Sequence, residues 1–351
     1  MRKEPPVPPG DRLFPHRESS QRIALSIVVP VHNEAAGLDA FMMRMQAALA
    51  GVTDNYEIIF IDDGSNDATM AKLVAFRAAD ARVKVLSLSR NFGKDVALSA
   101  GLEYARGDAV VPIDADLQDP PELIPEMVAK WREGYEVVYA ARSSREGDSF
   151  LRRNIAYVFY WTINRVSDVQ IPPDVGDFRL LDRAVVDAIV RLPEHSRFMK
   201  GLFAWVGFKQ TSVSFVRGSR AAGRSQWNSR RLWNFALDGI ISFSSVPLRV
   251  WSYLGMLISL FAAGYAGFLI WYKLVLGIDL PGYPSLMVAV LFFAGVQLVT
   301  LGIIGEYLSR VYDEVKGRPL YLVRESHGFD RDTRPRGDIA LPPAPQHDAD
   351  R

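Results

Sequence analysis

Two long runs near the C-terminus contain no charged residue: "VWSYLGMLISLFAAGYAGFLIWY" from Val250 to Tyr272, and "YPSLMVAVLFFAGVQLVTLGIIG" from Tyr283 to Gly305. Each exceeds the roughly 20 residues that a helix needs to cross a bilayer. Runs this long and this apolar rarely lie inside a soluble domain. Trp251, Trp271, Tyr272 and Tyr283 sit near their ends, where aromatic side chains meet the membrane interface. The short link "KLVLGIDLPG" makes the two a hairpin, with predicted spans at 249–273 and 283–306. Arg230, Arg231 and Arg249 precede the first span, and Arg310, Lys316 and Arg318 follow the second, against Lys273 alone in the basic count of the link. The positive-inside rule then puts both termini, and everything before the hairpin, in the cytoplasm.

The rest of the chain has to fold in water. Its 41 Lys and Arg nearly balance 40 Asp and Glu, so no global charge draws it to nucleic acid. It has no cysteine, which excludes disulfides, thiolate metal sites and cysteine nucleophiles. Residues 1–22 are polar and Pro-rich and read as a disordered arm. From Ile23 onward, apolar strand patterns alternate with helical ones: "IALSIVVPV", "YEIIFID", "VKVLSL", "AVVPID" and "YEVVYAA", with helix-period runs between them. Strands apolar on both faces and separated by helices predict an α/β domain with a mainly parallel sheet. That domain is placed at 23–227. Residues 228–248 follow as an amphipathic stretch that reads as a helix on the membrane surface. A similar stretch, Ser149 to Arg165, suits a core helix or an interfacial helix equally. The tail, 307–351, reads as cytoplasmic and as disordered after about 326.

Chemistry concentrates where the strands end. "VPIDADLQDPPE" closes the fourth strand with Asp114, Asp116 and Asp119 close together. Clustered carboxylates repel, so a cation is expected there. Hard divalent cations take oxygen ligands and leave positions for substrate phosphates. If the strand continued, Asp114 and Asp116 would project the same way, and Gln118 could add a neutral oxygen. "IDDGSND" (Ile61 to Asp67) and "PVHNE" (Pro30 to Glu34) end strands two and one in the same manner. A parallel sheet binds ligands beyond these carboxyl ends. There is no G-x-G-x-x-G and no Walker sequence, which argues against dinucleotide and P-loop chemistry. A nucleoside diphosphate carrying a metal suits such a pocket.

Several motifs, in order, carry a resemblance: "SIVVPVHNE", "IDDGSND", "SRNFGKDVALSAGL", "DADLQDPPE", "GDFRLLDR", "RFMKGLFAWVGF" and "GEYLSRVYDEVKGRPLYLV". The chain resembles the family-2 glycosyltransferases that act on polyisoprenyl phosphates, relatives of dolichol-phosphate mannose synthase. With its two spans it looks most like the bacterial bactoprenol (undecaprenyl-phosphate) glucosyltransferases. The resemblance implies a GT-A-type nucleotide-sugar-binding domain with a C-terminal transmembrane hairpin in the bacterial inner membrane. It implies a hexosyltransferase using Mg²⁺ or Mn²⁺, a nucleotide sugar and undecaprenyl phosphate, with a homo-oligomer, a tetramer, as its assembly. Pro30, His32 and Glu34 would line the nucleoside pocket, and Ile61 and Asp63 would contact the base. Asp114, Ala115 and Asp116 would face the diphosphate, with Asp116 and Gln118 as metal ligands and Asp114 beside them. Arg142 would meet phosphate or sugar, unless it forms a surface ion pair. Arg220 would offset the acceptor's charge.

One departure stands out. The family pattern R-x-x-G-x-S/T-K-Y/W reads "RAAGRSQW" here, so Gln226 replaces a lysine expected to hold phosphate. Glutamine keeps a donor and loses the charge; Arg224 or Arg217 could compensate. The expected reaction is inverting transfer of glucose from UDP-glucose to the lipid phosphate. Another donor, such as GDP-mannose or a modified UDP-sugar, fits the same motifs. A membrane adaptor built on a decayed transferase is the non-enzyme alternative.

Overall fold

The computed structural model describes residues 24–142, 175–194, 197, 199–215, scattered positions of 253–275, and 282–329. Arg217, Arg220, Arg224 and Gln226 lie outside these residues. So do the arm 1–22, the stretches 149–165 and 228–248, and the tail beyond 329.

The strand order follows from which runs can be buried on both faces. In β1 (Leu25–Val31), Ile27, Val29 and Val31 enter one core and Val28 the other. In β2 (Tyr56–Asp62), Ile58 and Phe60 take the first side, and Ile59 and Ile61 the second. Such strands are stable only between two helical layers. On one face lie α1 (Leu38–Leu49), α2 (Thr69–Ala79) and α4 (Ile124–Arg132). On the other lie α3 (Lys94–Tyr104), α5 (Arg183–Val190) and α6 (Met199–Trp205). The remaining strands are β3 (Val83–Leu88), β4 (Ala109–Pro112), β5 (Val137–Arg142), β6 (Val175–Asp182), β7 (Gln210–Phe215) and β8 (Val323–His327).

The sheet has eight strands in the order β7-β5-β6-β4-β1-β2-β3-β8. β1 to β4 are parallel, and β5 pairs parallel with β7. β6 and β8 run antiparallel to their neighbours. The chain moves from β1 outward through β2 to β3, then crosses back to put β4 on β1's other side. That reversal makes a switch point, where the crevice for a ligand opens between the ends of β1 and β4.

Glycine fixes how closely α3 approaches this crevice. A Cβ on Gly101 would lie 2.3 Å from Val28 Cγ1 and 2.6 Å from Ile61 Cδ1. Only glycine lets α3 sit flush on β1 and β2, and α3 carries Lys94 at its first turn.

After the domain, α7 runs from Tyr283 to Val315. Its segment Ser285–Val315 is long and apolar enough to cross a membrane. Leu286, Val290, Phe292, Leu298 and Leu301 on it are all exposed, as the side chains of a lipid-facing helix would be. The described positions of 253–275 are helical too, with Met256, Leu260 and Phe261 exposed. The chain then folds back: β8 pairs with β3, and Phe329 packs edge-on against Tyr104 at 5.0 Å. The polar composition near 326 predicted no strand there. Order instead persists through Phe329, because the edge of β3 supplies the hydrogen-bond partners that the sequence pattern of "VRESH" does not announce.

Candidate active site

The loop after β1 and the loop after β2 are tied into one wall. His32 Nδ1 meets the Asp63 carbonyl at 2.9 Å, so the proton belongs on Nδ1. Asn33 Nδ2 approaches His32 Nε2 at 3.2 Å. Asn33 holds a left-handed φ of +58° while its Oδ1 accepts from Asn66 N and its own N–H donates to Ser65 Oγ. Glu34 N–H donates to Thr69 Oγ1 at 3.0 Å. Pro30, His32 and Glu34 stand together at the carboxyl end of β1.

The two residues expected at the base, Ile61 and Asp63, close β2 and its loop. Ile61 has no exposed surface and packs on α3. β2 residues alternate faces, and the Ile61 side chain points into the core. Asp63 is buried, and its carboxylate accepts from Phe92 N at 2.7 Å and Gly93 N at 2.9 Å. It is the anchor of the loop that leads into α3.

The acid-rich loop also departs from its simplest reading. β4 stops at Pro112, so Asp114 and Asp116 do not alternate along a strand. The chain turns instead, with Leu117 at φ +58°, a conformation that costs a branched residue roughly 1–2 kcal/mol. The turn lets Asp116 Oδ1 accept from Gln118 N at 3.0 Å. Gln118, Asp119 and Ala115 are buried, while Asp114 and Asp116 stay partly open to the crevice.

The opposite charge that these carboxylates demand comes from the protein itself. Lys94 Nζ donates to Asp114 Oδ2 at 2.7 Å and to Asp177 Oδ2 at 2.6 Å. Burial alone would depress the Lys94 ammonium, but Asp177 and then Asp114 outweigh it and hold it well above the ordinary lysine value. Burial pushes the Asp114 carboxyl up; Lys94 opposes this, and Asp177 and Asp116 add to it. Lys94 and Asp114 still keep 43 % and 33 % of their side-chain surface, so the cluster opens to the crevice.

Beneath Asp177 lies Arg179, fully enclosed. Its Nη2 donates to the Gly176 carbonyl at 2.6 Å, and its guanidinium lies 4.0 Å over the Phe203 ring. Burial lowers this guanidinium to about 10, with Asp177 pulling it back up. Arg179 fixes the backbone that carries Asp177.

Asp177 and Lys94 had no assigned role in the sequence, although both stand inside quoted motifs. For Lys94 a signal existed. A cation in the first turn opposes the helix dipole, so a lysine opening α3 needs compensating acids. Arg142 is the last residue of β5, at the carboxyl end of that strand and in register with Phe215.

For a divalent cation, the donor set is modest. Among the described residues no group of three or more His, Cys, Asp or Glu side chains is arranged to hold one. Asp116, with Asp114 close by, fits the other mode, in which one or two carboxylates share the ion with substrate phosphates.

Residues 26–190 match the profile of glycosyl transferase family 2, and residues 246–311 match the GtrB C-terminal hairpin. An uncharacterized glycosyltransferase of Synechocystis sp. is 56 % identical over 308 residues, 88 % of this chain and 97 % of the relative. A prophage-derived bactoprenol glucosyl transferase of Shigella flexneri is 47 % identical over 303 residues, covering 86 % and 98 %. A prophage bactoprenol glucosyl transferase homolog of Escherichia coli is 44 % identical over 300 residues, also covering 86 % and 98 %. Among solved structures, glucosyl-3-phosphoglycerate synthase of Mycobacterium tuberculosis aligns with a TM-score of 0.41 at 20 % identity, covering 62 % of this chain and 77 % of that one. The α/β domain is of GT-A type, and the protein is a glycosyltransferase. The chain belongs to glycosyl transferase family 2.

Proposed function

We propose that the protein transfers a sugar, glucose from UDP-glucose, to undecaprenyl phosphate at the cytoplasmic face of the bacterial inner membrane. The observation that carries this reading is the open cluster of Asp114 and Asp177 on Lys94, with Asp116 beside Asp114, set at the switch point of the sheet. Bactoprenol glucosyl transferases that share nearly half of its residues support the acceptor and the sugar.

Placement supports a lipid substrate. The chain leaves α7 at Val315 and reaches the carboxyl end of β3 by Leu322. Seven residues span at most about 25 Å, so the ligand end of the sheet lies near the end of the apolar helix. Glu314, in the last turn of α7, also adds to the pKa shift of Glu194 in the domain. In this reading both apolar segments span the bilayer, both termini face the cytoplasm, and the protein assembles as a homo-oligomer, a tetramer.

A lipid phosphate monoester has a second pKa of about 6 and is largely a dianion at neutral pH. It attacks without a general base. The task of the protein is to hold two anionic substrates together and to stabilise the departing nucleoside diphosphate. Asp116, with Asp114 and the Gln118 segment, would hold Mg²⁺ or Mn²⁺, which when bound neutralises charge on the leaving diphosphate. Lys94 has three N–H donors and spends two on Asp114 and Asp177. His32 and Glu34 wall the nucleoside side. Arg142 would meet phosphate or sugar, and Arg220 would offset acceptor charge. Attack from the face opposite the leaving group inverts the anomeric centre.

The test uses the full chain in detergent with undecaprenyl phosphate and a panel of radiolabelled sugar nucleotides. Label entering the lipid phase from UDP-glucose, and lost with EDTA and in Asp116→Asn, is expected. Label from GDP-mannose or another UDP-sugar would reassign the donor. No lipid label from any donor, with Gln226→Lys equally silent, would overturn the transferase reading in favour of an adaptor.

A further inference from the structure

The chain that leaves α7 is sewn to the active-site end of the sheet. Gly317 turns it with a φ of +58°. Tyr321 Oη then donates to Glu103 Oε2 at 2.7 Å, near the end of α3. Ser89 N–H donates to the Leu322 carbonyl at 2.8 Å, and Arg324 Nη2 donates to the Ser89 carbonyl at 2.8 Å. β8 continues down β3, pairing Val323 with Leu88 and His327 with Val85.

Covering an open strand edge would explain the ladder. It would not explain why both backbone groups of Ser89 are gripped. Ser89 is the first residue after β3 and the root of the segment that ends in Lys94. The far part of this segment is held by Asp63, through the N–H groups of Phe92 and Gly93. Its middle has no slack either: a Cβ on Gly64 would lie 2.7 Å from the backbone of Arg90 and Asn91. The segment is fixed at both ends, and what it delivers is the position of Lys94 between Asp114 and Asp177.

We propose that β8, through Arg324 and the Ser89 backbone, is a positioning element of the transferase. It sets Lys94 against the two acids, so the site is completed by chain returning from the membrane helix. This rests on reading the acid–lysine cluster as the donor-binding centre.

The test compares full-length Arg324→Ala and Lys94→Met with the unaltered protein. Arg324→Ala removes the clamp and leaves the β8 ladder in place. Deuterium exchange is read in peptides covering 89–94 and in control peptides from β1 and β2, alongside kcat and KM for lipid transfer from UDP-glucose. Arg324→Ala is expected to speed exchange at 89–94 and leave β1 and β2 protected. Its kcat should fall roughly tenfold, the scale of one charge-assisted hydrogen bond, with KM within about twofold. Unchanged exchange at 89–94, or faster exchange with unchanged kcat, would overturn the proposal. If Lys94→Met is as active as the unaltered protein, the cluster reading itself fails, and the proposal with it. If Lys94→Met is impaired while Arg324→Ala is silent, only the positioning role is lost.

Discussion

Charge is buried at both ends of the sheet, and the two ends treat it differently. At the amino end of the parallel strands, Glu57 is enclosed and paired. Its Oε1 accepts from Ser26 Oγ at 2.5 Å and Arg106 N at 2.8 Å, and its Oε2 lies 2.7 Å from Lys84 Nζ. Ser26 Oγ also accepts from Gly107 N at 2.7 Å. This network joins β1, β2, β3 and the turn before β4, and nothing can enter it. At the carboxyl end, one lysine serves two acids with a third nearby, and the group opens to the crevice. A closed network spends its charges on the fold. An open one leaves a surplus of negative charge facing the crevice.

Removing a charge at each end should separate the two. Glu57→Ala leaves Lys84, the Ser26 hydroxyl and the Arg106 N–H without this acceptor, and should cost about 3–5 kcal/mol of stability. The measurement is the thermal midpoint of the purified protein, with transfer activity per folded molecule within about twofold of the unaltered value. Lys94→Met should reverse the pattern. Transfer should fall by about a hundredfold, or roughly 2.7 kcal/mol of transition-state stabilisation, while the midpoint moves little because water reaches the acids that remain. If both variants lose stability alike, the carboxyl end is a structural ion pair, and the contrast drawn here disappears.

The smallest effect concerns Glu194. Burial, and then Glu314 on α7, hold its carboxyl above the ordinary value. A raised carboxyl keeps its proton longer in the folded state. Stability tied to it is therefore greatest below the ordinary glutamate range and declines as pH rises through the raised value. Glu194→Gln removes that decline. Its thermal midpoint should exceed that of the unaltered protein at neutral pH by about a degree or two and match it in acid. An equal offset at both pH values would show that proximity to α7 does not act on Glu194.

The parallel part of the fold was legible because its signal is local. β1 to β5 are apolar runs spaced by helices, and the motifs at their ends mark the crevice without any knowledge of strand order. β6, β7 and β8 were not legible as strands. "VGDFRLLD" carries Asp177 and Arg179 among its apolar residues, "QTSVSF" is largely polar, and "VRESH" has one apolar residue. Each is a strand because a neighbour's edge was free, which no window of sequence reports. The same limit applies to the site. Asp114 and Asp116 stood out through density of charge, whereas Asp177, its partner across Lys94, lies 63 positions beyond Asp114 and becomes visible only once β6 pairs with β4.

The late position of β8 has a consequence for the order of synthesis. A ribosome completes β1 to β7 long before it reaches Val323, and α7 must be made in between. Until then β3 is an open edge, of the kind that invites wrong pairing in a nascent chain. The domain acquires its last strand only after the apolar helix has emerged. A chain stalled before that point would carry Lys94, Asp114 and Asp116, yet lack the strand that covers β3. Synthesis of the apolar helix and closure of the sheet are thereby put in sequence by nothing more than the order of residues along the chain.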